Sequence, residues 1–371
     1  MTSPSSRIKT RNTDQPIPLQ SATRSQGETF ALTLAALTVG AGGLWLARSI
    51  VGPAFFALTL VITVHPLMTW LVKKKVPRWL AAVCGVGVIY LFVLGLFAAL
   101  GASLTQFIYV VPKYADQLQT FADSMMNALA KIGVDEAMIM KQVETFDTNK
   151  IVGLASSFVG QVSNVSSLLL LLMLTVAFLT FDVSQIEARS RALARIKPEI
   201  YHALEGFSSS VRSYWLVSTI FGLIVAVLDV GALFILGVPM AITWGVVSFI
   251  TNYIPNIGFV IGVIPPALLG LVSGGPWTAL WVIVSYSVLN FVIQSLIQPK
   301  FTGDAVGLNT TITFLSLVLW TLIIGGLGAI LAVPLTLLTK SLLIDSDPDS
   351  RWLTIFLTDG DKDPYAKPRK A

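Results

Sequence analysis

Tyr286, Asn290, Gln294 and Gln298 recur every fourth residue in a stretch free of Asp, Glu, Lys and Arg. On a helix that spacing puts a phenol and three carboxamides on one face. A carboxamide both donates and accepts hydrogen bonds, so such a row can hold a small polar solute or an ion. Facing lipid, each of these polar groups would go unpaired at several kcal/mol. The face must therefore meet other helices or water, either as bonding that merely holds a bundle or as one wall of a polar pathway. A second set, Asn252-Tyr-Ile-Pro-Asn256, places two amides around Pro255. Proline removes a helical donor and clashes with the preceding turn, so a helix breaks there. Broken helices at membrane depth are tolerated where they are buried in protein or line a cavity, and midplane binding sites are built from them. Asn252, Pro255, Asn256, Asn290, Gln294 and Gln298 are thus the candidate solute path.

Asp229 offers different chemistry. It lies eight residues before Gly237 (237 − 229), on the order of 12 Å along a helix, well inside a hydrocarbon core about 30 Å thick. An ionised carboxylate there costs at least ~3 kcal/mol on insertion scales, and no lysine or arginine shares its apolar stretch. Asp229 is expected to be a neutral acid, or else to face a hydrated cavity or a bound cation. In each case its charge state can follow an ion gradient, which makes it the expected ion-coupling residue. The plainer alternative is a neutral acid hydrogen-bonded to a neighbouring helix.

Other chemistry finds little support. No nucleotide-binding loop, zinc-protease helix or nucleophile elbow is present, and no carboxylate pair, Ser/Lys or His/Glu arrangement lies in the apolar stretches. Cys84 is the single cysteine, and His65 and His202 are the only histidines. No enzyme, cofactor or metal centre is expected. His65, next to Pro66, reads as a packed or solvated residue, and Gly85, Gly87, Gly258 and Gly262 as helix-packing glycines.

The elements that must position these groups are membrane helices. Hydrophobic residues make up 54% of the 371 residues and charged ones 12%, roughly half the usual charged share. From 213 to 344 only Asp229, Lys300, Asp304 and Lys340 are charged, and 230–299 carries no Asp, Glu, Lys or Arg. A soluble surface cannot be made from such a stretch. A span needs about 20 residues, so the longest uncharged runs must fold back on themselves. Breaks are expected at Gly237-Val-Pro239, Asn252–Asn256, Ser273-Gly-Gly-Pro276 and Gly325-Gly326. The fold class is an all-α polytopic transmembrane helical bundle of about eight spans, some broken or re-entrant, with a small helical extramembrane insert.

Charge gives the organisation and the orientation. Residues 1–29 read as a disordered basic tail without a secretory signal, and 30–112 as the first three spans. The insert, 113–150, carries six acidic residues against four lysines; its Leu118, Phe121, Ala122, Met125 and Leu129 recur at helical spacing. The transmembrane core runs over 151–344, interrupted by the basic segment 183–212, which Asp182 is expected to open as a helix cap. Residues 345–371 form a tail. Lys73-Lys74-Lys75, Arg78 and the basic 183–212 segment belong inside by the positive-inside rule. Both termini are then cytoplasmic and 113–150 is outside. The net charge of +5 flanks apolar spans and forms no aromatic-interleaved stripe, so the bilayer, not nucleic acid, is the partner expected.

Asn252-Tyr-Ile-Pro-Asn-Ile-Gly258 with Ile264-Pro265, and Gln298-Pro299-Lys300 with Gly303 and Val306-Gly-Leu308, resemble the signature of the autoinducer-2 exporter family of bacterial membrane proteins. Leu236-Gly-Val-Pro239, Ala332-Val-Pro-Leu335 and the tail 343–352 match as well, and the likeness covers roughly 30–357. The resemblance implies a polytopic, homo-oligomeric inner-membrane transporter with about seven or eight spans and an insert after the third. It also implies export of a furanone-type signal, or sodium–proton antiport in some members. The chain departs from the family at one point. Where many members carry a carboxylate shortly before the Gln-Pro pair, it reads Ile293-Gln294-Ser295, so the resemblance implies no coupling carboxylate at that point, and Asp229 rests on its own position in the span. The expected function is an ion-coupled secondary transporter, driven by protons or sodium, exporting a small polar solute such as an autoinducer-2-like signal. A sodium/proton antiporter or a passive permease of the same fold is the alternative.

Overall fold

The computed structural model describes residues 26–114, 117, 120, 162–255, 257–298 and 307–358. Almost all of the 113–150 insert, the 1–25 part of the tail and Asn256 lie outside the described residues. The chain divides into two compact units, 1–43 and 44–371. Helix α1, Gln26–Leu46, falls mostly within the first. It begins four residues before the uncharged run, with Glu28 in the first turn, where the helix dipole favours a carboxylate.

Every regular element among the described residues is helical, as expected for an all-α membrane protein. The second unit holds α2 (Arg48–Lys73), α3 (Arg78–Val110), α4 (Val162–Ile196), α5 (Pro198–Ile235), α6 (Ala241–Thr251) and α7 (Gly258–Asn290). A π-helical turn, Phe291–Ile297, extends α7. Then come α8 (Thr310–Ile324), α9 (Gly326–Ile330), α10 (Ala332–Lys340), a second π turn (Ser341–Asp345) and a short α11 (Thr354–Leu357). Among the described residues four stretches are long and apolar enough to cross a membrane: Arg48–Lys73, Arg78–Phe107, Pro198–Ile235 and Gly258–Ile297. Four shorter apolar helical stretches accompany them: Ala31–Leu46, Leu169–Asp182, Ala241–Thr251 and Thr310–Ile324.

α5 is the central helix of its unit, packing against α2, α4, α6, α7 and α10. α6 is wedged between α5, α7 and α3. The core around α6 joins Leu233 of α5, Trp244 of α6, and Val263, Val282 and Tyr286 of α7. Phe107 of α3 closes it, edge-on to Trp244 with ring centroids 6.0 Å apart. Elsewhere the Tyr90 hydroxyl of α3 donates to the Met173 carbonyl of α4 at 2.7 Å.

The interruptions fall where the breaker residues stand. Gly237, at φ 67°, closes the turn after α5. Gly275, at φ 82° and ψ −177°, splits α7 into arms 258–274 and 276–290 with Pro276 opening the second arm; a side chain would strain that backbone. Gly325 separates α8 from α9. The short α6 ends at Thr251, and a tight turn over 252–257 leads into α7. Gly258 makes that turn possible, because a Cβ there would overlap the Thr251 carbonyl oxygen. Gly262 sits one turn later, where a Cβ would come 3.1 Å from Thr251 Oγ1. The Gly258/Gly262 pair is therefore a packing motif, as is Gly85 against Met68, while Gly87 faces open space. Gly258→Ala is expected to lower stability by about 1–3 kcal/mol through overpacking, and Gly262→Ala by less. Thermal unfolding of the purified variants checks the order.

Two expectations change. Asp182 lies inside the continuous helix α4 and caps nothing; the apolar-to-amphipathic switch at that point leaves the backbone helical. The basic segment 183–212 is the end of α4 and the start of α5, broken only at Lys197 with Pro198 at the first helical position, where its missing N–H is harmless. The polar helix ends continue apolar helices and borrow their register.

Candidate functional site

The turn between α6 and α7 is tied to α5 by a set of polar contacts. Asn252 Nδ2 donates to the Ser218 carbonyl at 3.0 Å. Tyr214 Oη donates to the Tyr253 carbonyl at 3.0 Å, and Tyr253 Oη shares a 2.8 Å hydrogen bond with Thr219 Oγ1. Trp215 stacks obliquely on Tyr253, with centroids 5.3 Å apart. Gly222 leaves room for Asn252, whose Nδ2 would stand 2.5 Å from a Cβ there. The backbone of the turn is largely bonded as well: Ile254 N–H donates to the Thr251 carbonyl, Ile257 N–H to that of Pro255, and Gly258 N–H to that of Ile254. The break is thus a built corner, and its side chains carry the polarity available to a ligand.

Three of the predicted amides meet at this corner. Gln294 Nε2 donates to Asn252 Oδ1 at 2.8 Å and to Asn290 Oδ1 at 2.7 Å. Asn290 is buried and passes its own Nδ2 to the Tyr286 carbonyl at 2.9 Å. Gln294 lies in the middle of the π turn 291–297. Such wider turns inside helices recur at functional sites, because they turn a side chain away from the ordinary helical face. Gln298 is half-buried at the end of this turn, and Pro255 half-buried in the corner itself.

Asp229 belongs to a neighbouring cluster. It is fully buried on α5 (0% exposed). Its Oδ2 accepts a 2.5 Å hydrogen bond from Ser248 Oγ on α6, and its buried Oδ1 has no hydrogen-bond partner among the described residues. The hydroxyl of Tyr286 on α7 is likewise buried without a hydrogen-bond partner among the described residues. Tyr286 joins the amide row to the neighbouring core: its carbonyl takes the Asn290 amide, and its side chain lies in the core with Leu233 of α5 and Trp244 of α6. Sequence reasoning found Asp229 and the amide row but missed Ser248, Ser218, Thr219, Tyr214 and Tyr253. Tyr253 alone carried a signal, standing between Asn252 and Pro255. The others are ordinary helix residues until folding sets them opposite a polar partner.

Comparison with known proteins places this arrangement. The description of the AI-2E family transporter matches residues 34–346. The chain is 29% identical over 337 residues to the AI-2 transport protein TqsA of Escherichia coli K12, covering 91% of this chain and 97% of that protein. It is 30% identical over 315 residues to the putative transport protein YhhT of the same organism, covering 85% and 90%. A putative transport protein of Haemophilus influenzae is 28% identical over 344 residues, covering 88% and 95%. The resemblance read from the Asn-Pro-Asn and Gln-Pro motifs is met over the greater part of the sequence. The polar corner on α5, α6 and α7 is thus built in a multi-pass membrane transporter, and the chain belongs to the AI-2E family.

Proposed function

We propose that this protein is an ion-coupled secondary transporter of the bacterial inner membrane, working as a homo-oligomer and exporting a small polar solute of the autoinducer-2 furanone class. The solute class comes from the likeness to TqsA, whose name records AI-2 transport. The observation that carries the coupling is Asp229, a fully buried carboxyl group with one oxygen bonded and the other unpartnered. A buried carboxylate without a counter-charge is costly, so a proton or a small cation must accompany it. Occupancy of that oxygen then follows the ion gradient.

Coupling needs the ion group and the solute group to act on one movable element. The second arm of α7 and the π turn that extends it meet that need: Tyr286 packs against α5 and α6, the helices that carry Asp229 and Ser248, and Asn290 and Gln294 complete the amide set with Asn252. A solute carrying hydroxyls or a carbonyl would exchange hydrogen bonds with these amides and with Gln298, beside Pro255 in the corner; the Asn256 amide is proposed to join them. Loss of the Gln294 bridge would free the α7 arm from the corner that α5 holds. Solute binding and ion binding would then favour different positions of that arm.

The substrate class is tested in cells carrying the gene and in cells lacking it. Deletion is expected to raise the ratio of intracellular to extracellular autoinducer-2 several-fold, with return to the original value on complementation. An unchanged ratio would remove this solute from the account.

The orientation is a second proposal. Both termini and the helical segment 183–212 are cytoplasmic, and 113–150 is outside, because the two regions carry opposite charge bias. Cys84 is exposed on α3 and can be replaced by serine to give a cysteine-free background. Single cysteines within 113–150 are expected to react with an impermeant maleimide added outside intact cells, and those within 183–212 only after the cells are opened. Outside labelling at 183–212 would reverse the orientation.

A further inference from the structure

The short turn between α2 and α3 joins two membrane-crossing helices and so lies at a bilayer surface. Beside it is a cleft of about 540 Å³ between α2, the start of α3 and α4. Its walls are apolar, from Met68, Val72, Trp79 and Phe181. Lys73 and Arg78 stand at its mouth, one on each side of the turn, and His65 lines its inner end. Eight residues separate His65 from Lys73 (73 − 65), about 12 Å along α2, which is the depth of most of one leaflet's acyl region. No carboxylate is among the lining residues, and Asp182, next in sequence to Phe181, is exposed and not part of the lining. The two threonines of the lining donate back into their own helices, Thr69 to the Pro66 carbonyl and Thr180 to that of Val176. Lys73 and Arg78 form no ion pair among the described residues. The charged donors at the interfacial turn are these two cations, with the Trp79 indole N–H beside them.

A mostly apolar cleft one leaflet deep, with a lysine and an arginine beside the interfacial turn, has the chemistry of one kind of molecule. An acyl chain fills the slot and a phosphate meets the cations. The lining adds an aromatic side chain that favours the headgroup level: Trp79 is 65% exposed. Lys74, by contrast, is engaged over the Trp70 ring at 5.7 Å and lies outside the cleft. We propose that this cleft is a binding site for an anionic phospholipid, with Lys73 and Arg78 holding the phosphate and Met68, Val72 and Phe181 enclosing a chain. The site stands apart from the corner at 252–298 and is independent of the solute and ion assigned above. By bridging α2, α3 and α4 the lipid would hold together helices that share few polar contacts.

The test uses the purified full-length protein in a neutral detergent, followed by thermal unfolding. Phosphatidylglycerol added in mixed micelles is expected to raise Tm by about 3 °C or more at saturation. Phosphatidylcholine at the same mole fraction, and inorganic phosphate alone, should give less than a third of that shift. The K73Q/R78Q variant should lose the response, and K74Q/K75Q, which removes the same charge from the same turn, should keep it. All the substituted cations are exposed, so both variants should fold. Equal loss in the two variants would mean general attraction to a basic turn and would overturn the site. An equal shift with phosphatidylcholine or with phosphate alone would overturn it too.

Discussion

Asp229→Asn is expected to reduce ion-driven transport at least about tenfold, a change of roughly 1.4 kcal/mol or more in the coupled step, and to leave the protein folded. The substitution keeps the shape. Its side-chain oxygen can still accept from Ser248 Oγ, which now bonds Asp229 Oδ2. Its amide nitrogen takes the place of Oδ1, so one buried polar atom without a partner among the described residues replaces another. Stability should therefore change by less than about 1 kcal/mol. An amide does not titrate and does not neutralise a cation, so the flux of the variant should no longer respond to pH or to an imposed ion gradient. The comparison is of initial rates across a pH series, wild type against Asp229→Asn. Equal rates with the same pH profile would make Asp229 a structural hydrogen-bonding acid, the plainer of its two readings.

Gln294→Leu should also stop transport, and here stability must fall as well. Among the described residues Gln294 alone links Asn252 to Asn290, donating to both at 2.8 and 2.7 Å. Leucine leaves two acceptor oxygens without donors, and each such loss costs about 1–3 kcal/mol when buried. Asn290 is buried and Asn252 partly so, so a loss of about 2 kcal/mol or more is expected. Assays run well below the lowered Tm separate the two consequences. A variant that unfolds earlier yet transports at the wild-type rate would show that the amides only hold the bundle.

Much of this was legible before any coordinates. A run from 230 to 299 without Asp, Glu, Lys or Arg cannot cover a soluble surface, and the helical membrane class follows from that alone. The glycine and proline breaks were legible because they act locally: Gly275 and Gly325 hold backbone angles that other residues avoid. The amide row was legible because polar groups in an apolar helix must find partners. Its partners were not legible. Nothing in the order of residues says that Ser248 will stand opposite Asp229, or Ser218 opposite Asn252, since those pairings come from how α5 and α6 pack. The π turn at 291–297 escaped because a reading at 3.6 residues per turn assumes the regular helix. Asp182 misled for a related reason: a cap residue at a change of polarity marks a helix start only when the helix before it has ended.

The central claim is that an ion gradient drives the solute, and accumulation in vesicles tests it most directly. Purified protein is reconstituted into sealed proteoliposomes with the furanone at equal concentration on both sides, and a proton or sodium gradient is imposed. The account predicts that the solute gathers on one side above the starting concentration, that an uncoupler or ionophore abolishes this, and that Asp229→Asn vesicles show none of it. Concentrations that stay equal across the membrane under both gradients, while labelled solute exchanges freely, would contradict coupling and leave a passive permease.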